Sequence, residues 1–220
     1  MQECSLSAHP VYLVTLIIFT AMKSLAEVIF VRRRHVCPWY FCWSFDNVFR
    51  RWLQNPNQIL SGIIAQGDTV IDIGPGRGYF TIPIAHLVGN TGKVIAVDIQ
   101  EKMLEFVKRN AVRADVAERI TCTLVYSAEL GLDIEADFVL AFWMVHEVPD
   151  KVLFLKNIFN ILKAGKKLLI AEPYLHVSKA MMINTIQTAI DIGFLATDTP
   201  KYFFSRAVIL QKPASINATT

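Results

Sequence analysis

Short apolar runs alternate with helix-spaced apolar patterns along most of the chain. The first helix-type pattern is predicted to begin after Asn55-Pro56, an N-cap followed by proline, and to end near Gly67. The predicted strands are 69–73, 94–97, 120–126, 137–142, 167–171, 194–199 and 206–211. Further helices are predicted up to 86 and over 101–110, 151–162 (ending by Gly165) and 178–193. Such alternation predicts an α/β fold with a mostly parallel sheet covered on both faces.

The last two predicted strands are joined by only a few residues. A parallel pair needs a crossover of a dozen residues or more, so this pair is predicted to form a C-terminal antiparallel hairpin. A parallel sheet that ends in such a hairpin is not typical of an ordinary dehydrogenase.

A different pattern marks residues 11–31, which are predicted to form an N-terminal hydrophobic helix. No Asp, Glu, Lys or Arg occurs from Ser5 to Met22, and Arg32, Arg33 and Arg34 follow the apolar run. This order favours a signal anchor with the arginines on the cytoplasmic side. Lys23 and Glu27 favour instead an amphipathic or buried helix, since they could share one polar face. A cleaved signal peptide is a third alternative.

The chain is therefore divided into residues 1–35, a candidate membrane anchor, and an α/β domain over residues 36–220. The domain is expected in the cytoplasm, held at the cytoplasmic face of a membrane if residues 11–31 span it. Three alternatives are open for the aromatic stretch 39–45. It could pack between the N-terminal helix and the domain, form an interfacial belt beside the arginines, or form a lid over a bound ligand.

Composition narrows the class of function. Hydrophobic residues make up 53% of the chain and the net charge is only +3, so no nucleic-acid partner is expected. The cysteines lack the spacing of metal ligands, so no metal site is predicted and reduced, mostly buried thiols are expected. They are Cys4, Cys37, Cys42 and Cys122.

A glycine-rich turn joins the first predicted strand to its helix. It contains Asp72, Gly74, Pro75, Gly76 and Gly78. Glycines let a ligand approach the backbone closely, and the following helix N-terminus favours a carboxylate. Asp72 could receive a ligand ammonium directly or through water. These groups suit a ligand with an amino-acid tail and a nucleoside.

Two common nucleotide motifs do not fit this turn. Tyr79 occupies the place of the third glycine in G-x-G-x-x-G, and no Gly-Lys-Ser/Thr follows. Asp98 closes the second strand, where a carboxylate can accept both ribose hydroxyls. Its alternative role is to cap the helix that begins near Gln100.

The pattern D-x-G-x-G-x-G at 72–78 resembles the first motif of class I S-adenosylmethionine (SAM) dependent methyltransferases. AFWMVHEVPD at 141–150 and LKAGKKLLIAEP at 162–173 resemble small-molecule members near the ubiquinone/menaquinone and arsenite methyltransferase groups. The cysteine set of the arsenic enzymes has no counterpart here. The resemblance spans residues 55–212 and implies a Rossmann-like doubly wound sheet, with SAM as the cofactor.

The same resemblance implies further cofactor contacts beyond the glycine turn and Asp98. Ile99 follows the ribose acid, and Phe142 closes the fourth strand. Ser127 and Ala128 occupy the place of an adenine-binding stretch, although Ser127 replaces the usual acid; a plain loop is the alternative. Phe142 is expected to pack against the cofactor or the substrate.

His146 lies where the fourth strand opens onto the expected site, and its ordinary pKa near neutrality suits a general base. The alternative is that His146 holds the loop and that Glu147 caps a helix. The predicted function is methyl transfer from SAM to a small acceptor, for which an apolar molecule is a candidate. The alternative is a SAM-binding protein without transfer activity that acts as a membrane-tethered partner or regulator.

Overall fold

The structure, a computed structural model, describes residues 54–214. The predictions for residues 11–31, Arg32–Arg34 and the aromatic stretch 39–45 lie outside the described residues. Among the described residues, no helix combines the length and the apolar character that crossing a bilayer requires.

Strands and helices alternate as the apolar pattern predicts. The helices are α1 (Pro56–Leu60), α2 (Thr81–Val88), α3 (Glu101–Arg113), α4 (Lys151–Ile161) and α5 (Lys179–Ile192), with 3-10 turns at Ala117–Arg119 and Val145–Glu147. The strands are β1 (Thr69–Ile73), β2 (Lys93–Asp98), β3 (Ile120–Leu124), β4 (Ala136–Phe142), β5 (Leu162–Pro173), β6 (Leu195–Asp198), β7 (Lys201–Tyr202) and β8 (Ser205–Gln211).

One sheet of eight strands runs through the described part of the chain. Its order is β3-β2-β1-β4-β5-β8-β6, and β7 pairs with β8. The pairs from β3 to β5 are parallel, whereas β8 is antiparallel to both β5 and β6. The predicted mostly parallel sheet and C-terminal antiparallel hairpin are thus confirmed. The short strand β7, which lies within that hairpin, was not predicted.

Adjacent residues of a strand are buried against helices on opposite faces of the sheet. Ile71 of β1 belongs to the apolar cluster that contains Phe154 of α4 and Met182 of α5. Its neighbour Val70 belongs to the cluster that contains Ile84 of α2. Because successive strand residues point to opposite faces, helices cover both faces of the sheet, as expected for a doubly wound arrangement.

The first helix is shorter than predicted. Asn55 caps it as expected, because its Oδ1 accepts the backbone N–H of Asn57 at 3.0 Å. The helix nevertheless ends at Leu60 rather than near Gly67. Gly62 adopts φ of +75°, a left-handed conformation that stops helices, so the apolar spacing beyond Leu60 is not helical.

The fifth strand begins earlier than predicted. Helix α4 ends at Ile161 and the chain turns directly into β5 at Leu162, so Gly165 lies inside the strand region and does not end the helix. The register of β4 with β5 jumps from the pair Ala136–Leu162 to the pair Phe138–Lys167. The extra residues bulge out at Gly165, where φ is +77°.

Candidate active site

The loops that carry the predicted site residues leave the same edge of the sheet, because β1, β2, β4 and β5 are parallel. The chain proceeds outward from β1 to β3 and then resumes on the other side of β1 at β4. Such a reversal of strand order opens a crevice at the carboxyl ends of the strands, where α/β proteins bind ligands. We call the ends of β1 and β2 the cofactor half, and the ends of β4 and β5 the acceptor half.

The glycine turn 74–78 contacts the acceptor half. A Cβ at Gly74 would lie 2.9 Å from Cβ of Met144, so only glycine allows this close approach. The N–H of Gly74 donates to the carbonyl of Val97 at 2.9 Å, which ties the turn to β2. Pro75 is buried, and its carbonyl accepts the N–H of Gly78 at 2.9 Å.

Gly76 lies at the open part of the turn. Its φ is +56°, and nothing lies within 4 Å of the position that a Cβ would take. A side chain here would project into free space beside the strand ends. The backbone of the turn is therefore accessible to a ligand at this point.

Asp72 lies beneath the turn, with 2% of its surface exposed. Its Oδ2 accepts the hydroxyl proton of Thr81, the first residue of α2, at 2.6 Å. Burial raises the pKa of Asp72 to about 7; the hydrogen bond from Thr81 opposes this rise and the nearby Asp98 adds to it. An ionised Asp72 therefore needs a positive charge nearby, which a ligand ammonium could supply.

Asp98 ends β2, with 9% of its surface exposed. Its Oδ1 accepts the backbone N–H of Gln100 at 2.8 Å, in the turn before α3. Burial raises the pKa of Asp98 to about 6, against hydrogen bonds from the N–H groups of Gln100 and Ile99. The next side chain, Ile99, is 47% exposed. The carboxyl group thus fixes its own turn, and an exposed apolar side chain lies beside it.

Three other predicted cofactor contacts have local partners. The Ser127 hydroxyl accepts the backbone N–H of Glu129 at 3.1 Å in an exposed turn, and Ala128 packs partly against the core. Phe142 is only 6% exposed, and its ring centroid lies 4.5 Å from that of Phe80. Contact of these three side chains with a cofactor stays a prediction.

Trp143 begins the acceptor half in an uncommon backbone conformation. Its φ is +62°, which is rare for a bulky residue. Its N–H donates to the carbonyl of Ala171 at 2.7 Å, and its Nε1 donates to the Ser205 hydroxyl at 2.8 Å. Gln54 Nε2 also donates to Ser205 Oγ, at 3.2 Å. These bonds to β5 and β8 hold the turn that leads to His146, as expected for backbone strain at a functional site.

His146 and Glu172 meet across the ends of β4 and β5. Glu172 is 2% exposed; its Oε1 accepts the backbone N–H of His146 at 3.3 Å, and its Oε2 pairs with Nδ1 of the His146 ring. On the other side of the ring, Nε2 lies 3.4 Å from Nδ1 of His176. Nε2 also lies 3.9 Å from Oε1 of Glu147.

Glu147 does not cap helix α4, so the alternative prediction for this residue is wrong for that helix. Asp150 is the N-cap there, and its Oδ1 accepts the N–H of Leu153 at 2.8 Å. Asp150 directly precedes the helix, whereas Glu147 belongs to the 3-10 turn before it. A side chain must precede the first helical turn closely to reach its free N–H groups, which Asp150 does.

A model of the methyltransferase domain family matches residues 64–202, more than half of the chain. The chain belongs to this family. The matched range contains both halves of the site and lies within the domain predicted over 36–220. As a class I SAM-dependent methyltransferase, it has SAM as its implied cofactor.

Curated relatives support the same assignment. The chain is 29% identical over 156 residues to the ubiquinone/menaquinone biosynthesis C-methyltransferase UbiE of Escherichia coli O1:K1, with 68% of this chain covered. The chain spans 62% of the length of that relative.

Solved structures share the fold. A SAM-dependent methyltransferase from Aquifex aeolicus superposes with a TM-score of 0.69 at 20% identity, over 80% of this chain and 98% of that one. A second solved structure, from Methanococcus maripaludis, gives a TM-score of 0.67 at 17% identity, over 84% of this chain and 97% of that one.

The residues of the candidate site fit SAM, which carries an ammonium, a carboxylate, a sulfonium and a ribose. Two buried carboxyl groups, Asp72 and Asp98, suit cationic and hydroxyl groups. The open position at Gly76 leaves room along the turn. Arg77 in that turn has a buried Nε without a hydrogen-bond partner among the described residues, which suits a ligand carboxylate.

Glu172 and His176 were missed by sequence reasoning, although the segment 162–173 was noticed. The available signal was an acid at the end of an apolar strand that is followed shortly by a histidine. Its meaning depends on β5 lying beside β4, which brings Glu172 against a residue 26 positions away. Among the described residues, no group of three or more metal-ligating side chains is arranged to hold an ion.

Proposed function

We propose that this protein binds SAM across the cofactor half and transfers its methyl group to a small acceptor held over the acceptor half. The observation that carries this proposal is the pairing of the open turn at Gly76 with the two buried carboxyl groups of Asp72 and Asp98. Family membership agrees with it. The relative UbiE acts in ubiquinone/menaquinone biosynthesis, which favours a small, apolar acceptor.

Each part of the cofactor half has a proposed task. Asp98 accepts the ribose hydroxyls with the carboxylate surface left after its bond to Gln100. Ile99, exposed beside it, offers an apolar surface to the adenine. Asp72, already bonded to Thr81, balances the ligand ammonium from below the turn. Bound SAM supplies a methyl group on a sulfonium, which is electrophilic.

The acceptor half aligns the nucleophile and can take a proton. Met144 packs at the position where Gly74 lacks a Cβ, so the turn that bears His146 lies directly against the cofactor turn. A base on this turn can reach an acceptor that faces the methyl group. Alignment supplies much of the rate in such a displacement.

Binding and turnover are separate tests of this function. Calorimetry on the full chain should show binding of SAM and S-adenosylhomocysteine (SAH) and no binding of NAD. A screen of small metabolites with isotopically labelled SAM should then yield a product heavier by one methyl group. Binding of NAD without a response to either adenosyl ligand would contradict the proposal. Binding of SAM with no methylated product from a broad screen would favour the alternative of a binding protein without transfer activity.

A further inference from the structure

We propose that Glu172, His146 and His176 form a proton relay, in which His146 removes the proton of a phenolic or enolic acceptor and His176 passes it to solvent. This inference rests on the proposed function and specifies its acceptor class. The family match does not assign roles to these three side chains.

The carboxylate of Glu172 sets the orientation of the His146 ring. It contacts both the backbone N–H and the ring Nδ1 of His146, so the residue is held at two points. Glu172 is buried, which strengthens the pairing because little water competes for its oxygens. A carboxylate on Nδ1 keeps the proton there in neutral His146, so the lone pair of the base lies on Nε2.

His176 continues the chain of contacts toward solvent. Its Nδ1 lies 3.4 Å from Nε2 of His146, and the two ring centroids are 5.3 Å apart. His146 is largely buried, whereas His176 lies exposed in the segment after β5. A proton on Nε2 of His146 therefore has an acceptor that leads out of the crevice.

The charges around His146 and His176 favour a single proton on the two rings together. Burial lowers the pKa of His146, but the hydrogen bond that its ring N–H donates to Glu172 and the charges of Glu172 and Glu147 outweigh burial, with Lys151 opposing, so the net shift is upward. Burial and the positive charge of His146 lower the pKa of His176, against the charge of Glu172. His146 is thus the stronger base, and His176, the weaker base, carries the proton only transiently on its way to solvent.

The strength of this base indicates the acceptor class. A histidine works best on acids whose pKa lies near or a few units above its own, which includes phenols and enols. The O–H bond of the acceptor breaks and its proton goes to Nε2 of His146. The electron pair left behind forms a bond to the methyl carbon through oxygen or the conjugated carbon. The carbon–sulfur bond breaks with its electrons left on sulfur, and the proton leaves through His176 to water.

A chromogenic phenol can report this proton transfer without knowledge of the natural acceptor. The full chain is saturated with SAH, and 4-nitrophenol is added between pH 5 and 8. We expect the bound probe to ionise at a pH lower by about one unit than the free probe, because His146 takes its proton. Glu172→Gln and His146→Gln should abolish this shift. His86→Gln is the matched control, since His86 is exposed on α2, and it should leave the shift unchanged.

The role of His176 is tested by measuring the rate of proton transfer. Stopped-flow mixing in weak buffer with a pH indicator should show slower release of the phenol proton to solvent in His176→Ala, with free imidazole restoring the rate because the position is exposed. A structural defect would not respond to imidazole. The relay is overturned if the wild-type protein binds the probe only as neutral phenol or does not bind it, or if imidazole fails to restore the rate.

A second measurement covers failure of a variant to fold. Ring nitrogen NMR on the wild-type protein should show neutral His146 protonated on Nδ1, with a pKa above 6.5. An Nε2-protonated neutral ring would overturn the relay. If SAH binds and the probe tests fail, only the relay is wrong. If neither SAM nor SAH binds, the proposed function is wrong and the relay falls with it.

Discussion

At the ends of β1 and β2, two buried carboxyl groups lie near each other, and the nearby Asp98 adds to the rise in the pKa of Asp72. At the ends of β4 and β5, a buried carboxylate is paired with a histidine. Both pairs lie at the carboxyl ends of the parallel strands and both are largely buried. The cofactor half holds negative charge that a ligand must balance, whereas the acceptor half balances its own charge and can hold a proton.

This difference agrees with the two tasks that we propose. A cationic cofactor is bound best by groups whose ionised form is costly until the cation arrives. A base must keep the same orientation in every turnover, which requires a permanent partner. The predictions below test whether the cofactor half depends on its ligand in this way.

The largest expected effect is on ligand affinity in Asp98→Ala. Loss of a buried acceptor should weaken SAH binding by about 1–3 kcal/mol, or about 5- to 150-fold. Asp150→Ala is the matched control, because Asp150 also accepts a backbone N–H beside a helix start but lies at α4. It should lower the free energy of unfolding by about 1 kcal/mol and leave SAH affinity unchanged. If calorimetry gives Asp98→Ala an unchanged dissociation constant, Asp98 only fixes its own turn.

A smaller loss is expected from Gly76→Ala, compared with Gly62→Ala. Both glycines have positive φ and open space around the Cβ position, so each alanine should cost about 1–2 kcal/mol of stability. Only the Gly76 variant should also lose SAH affinity, by roughly 5- to 30-fold, because its methyl group enters the space of the ligand. Denaturant melts and calorimetry measure the two effects. Equal SAH affinity in both variants would remove Gly76 from the site.

The pH dependence of SAM binding tests the charge of Asp72. Its pKa rises from 3.8 to about 7 on folding, so its contribution to stability is fully present below pH 3.8 and is lost as pH rises through 7. A cationic ligand prefers the ionised form, so affinity should increase about tenfold from pH 6 to pH 8. Ionisation of Asp98 should contribute at the lower end of this range, because its pKa is about 6.

Asp72→Asn is the control for this titration. The amide keeps the size of the side chain and cannot ionise, so most of the increase between pH 6 and pH 8 should disappear. Calorimetry at several pH values measures the slope. A wild-type affinity that does not change with pH would show that Asp72 does not respond to the charge of the ligand.

The smallest effect is expected in Ser127→Ala. Its hydroxyl accepts the N–H of Glu129 at 3.1 Å and donates to the carbonyl of Glu129 at 3.4 Å, so only one lone pair is left for an adenine. SAH binding should weaken by less than about 1 kcal/mol, the usual net value of one neutral hydrogen bond. A loss as large as that of Asp98→Ala would identify Ser127 as a main contact to the base.

Local sequence was sufficient for elements whose signals are neighbours in the chain. Strand β1 was predicted over the residues that form it, since an apolar run bounded by a glycine turn has few alternatives. The cap at Asn55 and the final hairpin followed from the same local rules. Asp72 and Gly76 could be selected because they lie at the end of one strand and in the turn after it, and Asp98 because it ends the next strand.

Only the tertiary structure decided how distant residues combine. The order of the strands places β5 beside β4, and this alone brings Glu172 onto His146. Hydrogen bonds to β5 and β8 hold Trp143 at its positive φ, and no pattern in the residues around Trp143 predicts these bonds. Sequence patterns specify which backbone conformations have a low energy for residues that are neighbours in the chain. The charge and orientation of a side chain depend on groups that meet it only after the sheet has formed.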